Sequence, residues 1–112
     1  MAKVNHCTLC GFCRICPVVR VGGSETLSPR AKVVLQNKDK HSIEFFDCML
    51  CHACYSACPI GVDLKLDEAR KECNDKNIQT EANKKMIENV RQFGNPFGKV
   101  EKGKIPKELY CC

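Results

Sequence analysis

Apolar residues recur every three or four positions near the end of the chain. Met86, Ile87, Val90 and Phe93 follow this helical spacing. The stretch is preceded by Thr80, a residue suited to the N-cap. Gly94 suits the C-terminal cap because it accepts a left-handed backbone. The pattern therefore predicts a helix from 80 to 93 whose stripe faces a core or a subunit interface.

A second helical pattern lies just upstream. Leu64, Leu66, Ala69 and Cys73 are spaced so that they can face inward together. Asp63 is a good N-cap residue, so we expect a helix from Asp63 to about Cys73. Residues 74–79 are polar and indicate a break between the two helices.

Residues 28–47 predict two shorter helices. Ser28 followed by Pro29 is typical of an N-cap and first helical position. Ala31, Val34 and Leu35 are the expected apolar face of that helix. A short helix is expected over 41–47. No stretch alternates between apolar and polar residues as a half-buried strand does, so the fold class is predicted to be mostly α.

Composition adds a structural constraint. The chain has 112 residues and 11 cysteines. A chain of this size buries a small core and commonly needs disulfides or metal to stabilise it. The N-terminus lacks an apolar signal-peptide core, the cysteine count is odd, and most cysteines are clustered. These features favour an intracellular, cytoplasmic metalloprotein over a secreted disulfide scaffold. No apolar run is long enough to span a membrane, so a soluble or peripheral protein is expected.

Two cysteine-rich runs form an internal repeat. CTLCGFCRICP occupies residues 7–17 and CMLCHACYSACP occupies residues 48–59. Each run has three cysteines on a C-x-x-C-x-x-C frame, then a fourth cysteine followed by proline. The last spacing in the first run, between Cys13 and Cys16, is one residue shorter than that between Cys54 and Cys58.

This frame is typical of proteins that bind two [4Fe–4S] clusters. In two-cluster ferredoxins the fourth cysteine of each run binds the other cluster. The predicted ligands of cluster one are Cys7, Cys10, Cys13 and Cys58. The predicted ligands of cluster two are Cys48, Cys51, Cys54 and Cys16. The short Cys13–Cys16 spacing leaves open a changed turn, a site with three ligands or a labile iron.

Two alternative functions fit the pattern less well. Zinc ribbons pair two C-x-x-C knuckles and need neither a third cysteine in phase nor a following proline. Nucleic-acid binding is suggested by the formal charge of +5. That count treats cysteines as neutral, and two clusters of about −2 each would leave about +1. Aromatic residues are few and no nucleic-acid motif is present, so this function is disfavoured.

Two further segments carry a resemblance to a known family. Together with the cysteine runs, ETLSPRAKVVL at 25–35 and GNPFG at 94–98 resemble the iron–sulfur module shared by three related enzymes. These are glycolate oxidase, anaerobic glycerol-3-phosphate dehydrogenase and heterodisulfide reductase, and the module is found in their iron–sulfur subunits. The resemblance implies an alpha-helical ferredoxin domain over 1–94 and an extended tail over 95–112. It also implies two [4Fe–4S] clusters that pass electrons between a flavoprotein and a cysteine-rich subunit with CCG motifs.

The remaining candidate residues are given structural roles. Cys73 is expected to be a packed free thiol, and Cys111 and Cys112 are tail thiols or contribute to a partner's site. His6, His41 and His52 are expected not to bind a cluster. No phosphate loop, paired nucleophile and base, or dinucleotide motif is present. The sequence thus predicts a non-catalytic electron-transfer subunit of an oxidoreductase complex in an anaerobe. A free ferredoxin shuttle and a protein for enzyme assembly or activation remain alternatives.

Overall fold

The structure is a computed structural model that describes residues 3–106 of the chain. Its residues form two compact units, divided between Ile78 and Gln79. The limits predicted for the ferredoxin domain, 1–94, stay a prediction. Cys111 and Cys112 lie outside the described residues.

Short helices joined by turns make up the described chain. Its α-helices are α1 (Pro17–Gly22), α2 (Pro29–Asn37), α3 (Ala53–Ala57), α4 (Leu66–Asp75) and α5 (Glu81–Phe93). Its 3-10 helices are Val4–His6, Phe12–Ile15, Glu25–Leu27 and Ile43–Asp47. No strand occurs within residues 3–106, and the predicted mostly α fold class is confirmed. None of the helices in this range is long and apolar enough to cross a membrane.

The core of the first unit is small and centred on an aromatic residue. Phe45 is 2% exposed and lies in the predicted short helix, here a 3-10 helix. The buried residues around it come from α2, α4 and the segment before α4: Val33, Leu64, Leu66 and Cys73. Burying a side chain the size of phenylalanine contributes about 1.5–3 kcal/mol. The core therefore depends on a few residues, and cysteines of both runs pack against it.

Helix α2 begins as predicted, and Leu35 of the predicted apolar face packs against the core, but Val34 does not face inward. The Ser28 hydroxyl accepts a hydrogen bond from the Ala31 N–H at 3.0 Å, as an N-cap residue does. The buried positions of the helix are Pro29, Lys32 and Val33, whereas Val34 is 36% exposed. The predicted face was wrong at Val34 because a hydrophobic pattern does not identify a buried lysine.

The N-cap of helix α4 is Lys65, two residues later than predicted. The Asp63 carboxylate accepts the Lys65 N–H at 3.0 Å, and Lys65 has a left-handed backbone with φ 44°. Asp63 therefore shapes a turn before the helix and is not its N-cap. The turn leaves Leu64 and Leu66 buried, so the predicted inward positions are confirmed there.

The second unit consists of α5 and the chain that follows it. Thr80 accepts the Asn83 N–H at 3.1 Å, and Gly94 adopts the left-handed C-cap, both as predicted. After the helix, the Asn89 amide donates to the Pro96 carbonyl at 3.0 Å. A Cβ on the buried Gly98 would lie 3.1 Å from Asn89 Oδ1. The GNPFG segment thus folds back against α5, and 99–106 continue without a helix or strand.

Candidate metal centre

The two cysteine runs begin with the same backbone turn. Leu9 has φ 58° and Leu50, at the equivalent position, has φ 55°. The Leu9 N–H donates to Cys7 Sγ at 3.5 Å, and the Leu50 N–H donates to Cys48 Sγ at 3.3 Å. A leucine with positive φ is uncommon. Its presence twice shows that the internal repeat of the sequence is also a repeat of conformation.

A second left-handed residue follows in each run. Gly11 has φ 89° and precedes the 3-10 helix Phe12–Ile15, which carries Cys13. His52 has φ 57° and precedes α3, which carries Cys54. The short helices place the third cysteine of each run after a sharp change of direction.

The first cavity lies between the start of the chain and the end of the second run. It is open to solvent, and its volume, with the open solvent included, is about 280 Å³. Its cysteine lining comprises Cys7, Cys13, Cys54 and Cys58. Cys58 is thus brought to cysteines of the first run, while the predicted ligand Cys10 is exposed and is not part of the lining.

The second cavity is also lined by Cys54, and its volume, with open solvent included, is about 370 Å³. Its cysteine lining comprises Cys16, Cys48, Cys51 and Cys54. Three of these belong to the second run and Cys16 belongs to the first. The second cavity therefore gathers the same four cysteines that the sequence assigned to cluster two.

The thiols are unpaired, and burial and mutual repulsion hold the pKa of two of them above the ordinary value. None of the cysteines within residues 3–106 forms a disulfide. Burial raises the pKa of Cys54 to about 11, with Cys48, Cys13 and Cys16 adding to the increase. Burial also raises the pKa of Cys13, again reinforced by neighbouring cysteines. Thiolates crowded in this way need a cationic partner, and bound iron supplies one.

The donor set fits a group larger than a single ion. Among residues 3–106, no three His, Cys, Asp or Glu side chains converge closely enough to hold one metal ion. The cysteines instead surround two cavities. In a [4Fe–4S] cluster each of four thiolates binds a separate iron, so the sulfurs stand apart around the group. The second lining offers four thiols to such a group. The first offers Cys7, Cys13 and Cys58, because Cys54, which lines both cavities, is assigned to cluster two.

Backbone donors are also concentrated on the cysteine sulfurs. The Val62 N–H lies 3.4 Å from Cys58 Sγ. Although burial opposes the effect, the N–H groups of Val62, Ile60 and Gly61 lower the pKa of Cys58. Hydrogen bonds to a ligand sulfur stabilise its negative charge and tune the potential of the metal group it holds.

The other residues singled out in the sequence lie away from the two cavities or at their edges. Cys73 is fully buried in the core, which confirms the packed free thiol. His41 contacts Glu72 at 3.0 Å and Lys76 at 3.2 Å, beside the last turn of α4. His6 is exposed, and His52 is exposed at the edge of the second cavity.

Sequence reasoning missed three cations beside the cysteines. Lys32 lines the second cavity and is 2% exposed, and burial lowers its pKa. Arg30 lines the first cavity. Arg70 donates hydrogen bonds to the carbonyls of Phe45, Phe46 and Cys48. The spacing of apolar residues contains no information that would have identified them.

Comparison with known proteins agrees with this geometry. A family described as a 4Fe-4S dicluster domain matches residues 3–62, which is more than half of the chain. No curated protein and no solved structure matched the chain. The matched segment contains both cysteine runs and α2. The chain therefore belongs to the 4Fe-4S dicluster domain family.

Proposed function

We propose that this protein is an electron-transfer subunit that holds two [4Fe–4S] clusters through crossed ligation. Cluster one takes Cys7, Cys10, Cys13 and Cys58, and cluster two takes Cys48, Cys51, Cys54 and Cys16. The observation that carries the proposal is the lining of the second cavity, where Cys16 joins three cysteines of the other run.

The chain's own residues bind and tune the clusters. When bound, each cluster supplies one-electron oxidation and reduction. The cysteine sulfurs hold the iron, and backbone N–H groups of Leu9, Leu50 and Val62 donate to three of them. Cys54 lines both cavities, so the two groups occupy adjacent spaces. This adjacency supports a relay of electrons from one to the other.

Access to each cluster is provided by one exposed cysteine of each run. Cys10 and Cys51 occupy equivalent positions in the repeat, and both are exposed. Exposed apolar side chains accompany them: Phe12 is 66% exposed and Met49 is 62% exposed. Aromatic residues and methionine are enriched where proteins dock. We place the electron donor and acceptor at these two positions.

The proposed partners are a flavoprotein and a cysteine-rich subunit with CCG motifs. This part of the proposal rests on the resemblance to heterodisulfide reductase and related complexes, and it implies an oxidoreductase complex of an anaerobe. A free soluble ferredoxin shuttle is the alternative, and a protein for assembly or activation of another enzyme is a third possibility.

Anaerobic purification followed by iron and sulfide analysis and a redox titration tests the cluster assignment. We expect about eight irons per chain, as two [4Fe–4S] clusters require, and reversible reduction followed by EPR spectroscopy. Zinc in place of iron would overturn the proposal. Clusters that cannot be reversibly reduced would favour the assembly role.

Pull-down of tagged protein from its native host without oxygen tests the partners. We expect a flavoprotein or CCG-type subunit in near-equal amount after a salt wash. Phe12→Ser should weaken this capture, whereas Ile105→Ser, at a position that is 89% exposed in the second unit, should not. Recovery of an iron-loaded monomer alone would favour the free shuttle.

A further inference from the structure

Lys32 is a buried cation without a carboxylate partner. The side chain is enclosed on α2, with the residue 2% exposed, and its ammonium donates to the Leu27 carbonyl at 2.5 Å. Burial lowers the pKa of Lys32 and the charge of Arg70 adds to this effect, whereas Cys48, Cys16 and Asp47 oppose it. Within residues 3–106, no carboxylate forms an ion pair with it. A buried charge is costly unless an opposite charge offsets it.

The second cavity contains the groups that can offset this charge. Lys32 lines it together with Cys16, Cys48, Cys51 and Cys54. Four thiolates bound to a cluster carry net negative charge, and that charge increases when the cluster is reduced. A cation enclosed at the same cavity therefore stabilises the reduced form more than the oxidised form.

The first cavity is different because its cation is already neutralised. Arg30 lines that cavity and donates to the Leu9 carbonyl at 3.3 Å. Its guanidinium also forms an ion pair with Glu25 at 2.7 Å. The two side chains are 34% and 47% exposed, so water screens them further. The positive charge at the first cavity is therefore largely offset.

Arg70 increases the asymmetry. Its guanidinium is partly buried and donates to the carbonyl of Cys48, a cysteine of the second cavity, as well as to those of Phe45 and Phe46. It also lies over the Phe46 ring, 5.6 Å from the centroid. No carboxylate pairs with Arg70 among residues 3–106. One enclosed cation, Lys32, thus lines the second cavity and a partly buried one, Arg70, binds the backbone of Cys48, whereas the cation at the first cavity is ion-paired.

We propose that the buried positive charge of Lys32 raises the reduction potential of the cluster in the second cavity. The potential of that cluster is therefore higher than that of the cluster in the first cavity. The inference rests on the proposed function, since it requires a redox cluster in each cavity. Electrons added one at a time from an external reductant then reside first in the second cavity. Electron flow through the protein runs from the Cys10 side to the Cys51 side.

An EPR-monitored redox titration of the full, cluster-loaded chain tests this order. The wild-type protein should show two unequal midpoint potentials. Lys32→Gln should lower the higher midpoint potential by at least 59 mV, which is a tenfold change in a one-electron equilibrium constant. The same substitution should change the reduction equilibrium constant of the other cluster less than twofold. Lys32→Arg, which retains the charge, should restore the wild-type value. Cys51→Ser alters the EPR signal of the group in the second cavity and so assigns the potentials.

Two controls keep the test decisive. Lys38→Gln removes the same charge from an exposed position at the end of α2 and should change each equilibrium constant less than twofold. Glu25→Gln removes the carboxylate that offsets the charge of Arg30. It should raise the lower midpoint potential and so reduce the difference between the two potentials. If the Lys32→Gln protein does not load clusters, the Glu25→Gln protein provides the test. A difference between its two midpoint potentials that equals the wild-type difference overturns the inference.

The results separate this inference from the proposed function. A wild-type protein without two reversibly reducible clusters contradicts the proposed function. Two reversible clusters whose potentials respond to Lys32→Gln no more than to Lys38→Gln contradict only the role of Lys32. The inference is also overturned if Lys32→Gln shifts the lower potential as much as the higher potential, or more.

Discussion

Leu9 and Leu50 share a left-handed backbone, and each donates its N–H to the cysteine sulfur two residues earlier. The equivalence shows that each run forms its own sulfur-binding turn from local residues. A residue in the left-handed region costs about 1–2 kcal/mol relative to the right-handed region. The hydrogen bond to sulfur and the placement of the next cysteine offset this cost.

The left-handed positions Gly11 and His52 give a matched pair of substitutions. His52→Gly should retain both clusters and should raise the free energy of unfolding by up to about 1 kcal/mol. Relief of the left-handed strain exceeds the entropy cost of glycine there. Gly11→Ala should cost about 1–2 kcal/mol, since φ is 89° although a Cβ would meet only Arg30 at 3.6 Å. Anaerobic urea titration measures both, and cluster loss in His52→Gly would contradict its placement outside the ligand set.

Crossed ligation predicts which pairs of cysteine substitutions have additive effects on iron content. Cys58→Ala and Cys10→Ala should each disrupt cluster one, so the double variant should lose no more iron than the more affected single variant. Cys58→Ala combined with Cys51→Ala should instead disrupt both clusters. Iron content and EPR intensity of anaerobically reconstituted protein measure the difference.

The uncrossed arrangement makes the opposite prediction. If each run held its own cluster, Cys58→Ala and Cys51→Ala would affect the same cluster and their iron losses would not add. Cys73→Ala is the control, because that cysteine is buried in the core and lies outside both cavity linings. It should leave iron content unchanged.

Ser28 connects the cap of α2 to the ion pair at the first cavity. Its hydroxyl accepts from the Ala31 N–H and donates to Glu25 Oε1 at 3.0 Å, and the residue is fully buried. Ser28→Ala should lower the free energy of unfolding by about 1–2 kcal/mol, through loss of the cap and of one buried hydrogen bond. Urea titration measures this loss.

Thr80 provides the matched control for Ser28. It caps α5 in the second unit by accepting the Asn83 N–H. Thr80→Ala should weaken α5 by about 1 kcal/mol without changing the EPR spectra. If Ser28→Ala leaves stability unchanged while Thr80→Ala lowers it, the Ser28 cap does not stabilise the first unit.

Sequence spacing predicted the helices whose ends are marked by local chemistry. Ser28, Thr80 and Gly94 are caps whose effect depends on their own backbone and the adjacent turn, so each was identified correctly. The start of α4 was misplaced because Asp63 can cap a helix or form a turn, and the left-handed Lys65 selects the turn. That choice depends on burying Leu64, a tertiary effect that the local sequence does not contain.

The cysteine repeat predicted two sets of four cysteines, but not their electrostatic surroundings. Cys16 lines a cavity with cysteines of the second run, and Cys58 lines one with Cys7 and Cys13. The predicted ligand Cys10 lies outside the first lining, so the ligand sets stay a prediction. Lys32 was missed because lysine is ordinarily exposed, and its burial becomes understandable only beside a cavity lined by thiols. Leu9 and Leu50 were missed because leucine carries no preference for positive φ.

The Cys73 thiol predicts a loss of stability at high pH. Burial raises its pKa above the ordinary value of 9.0, so the folded protein holds this proton more strongly than the unfolded chain. The stabilisation is fully present below pH 9.0 and is lost as pH rises toward the pKa of the folded state. Anaerobic urea titrations between about pH 9 and 11 should therefore show a steeper fall in the free energy of unfolding for wild-type protein than for Cys73→Ala, because the loss begins at the ordinary thiol pKa. Other groups titrate alike in both proteins, so parallel curves would show that Cys73 does not gain a proton affinity from its place in the core.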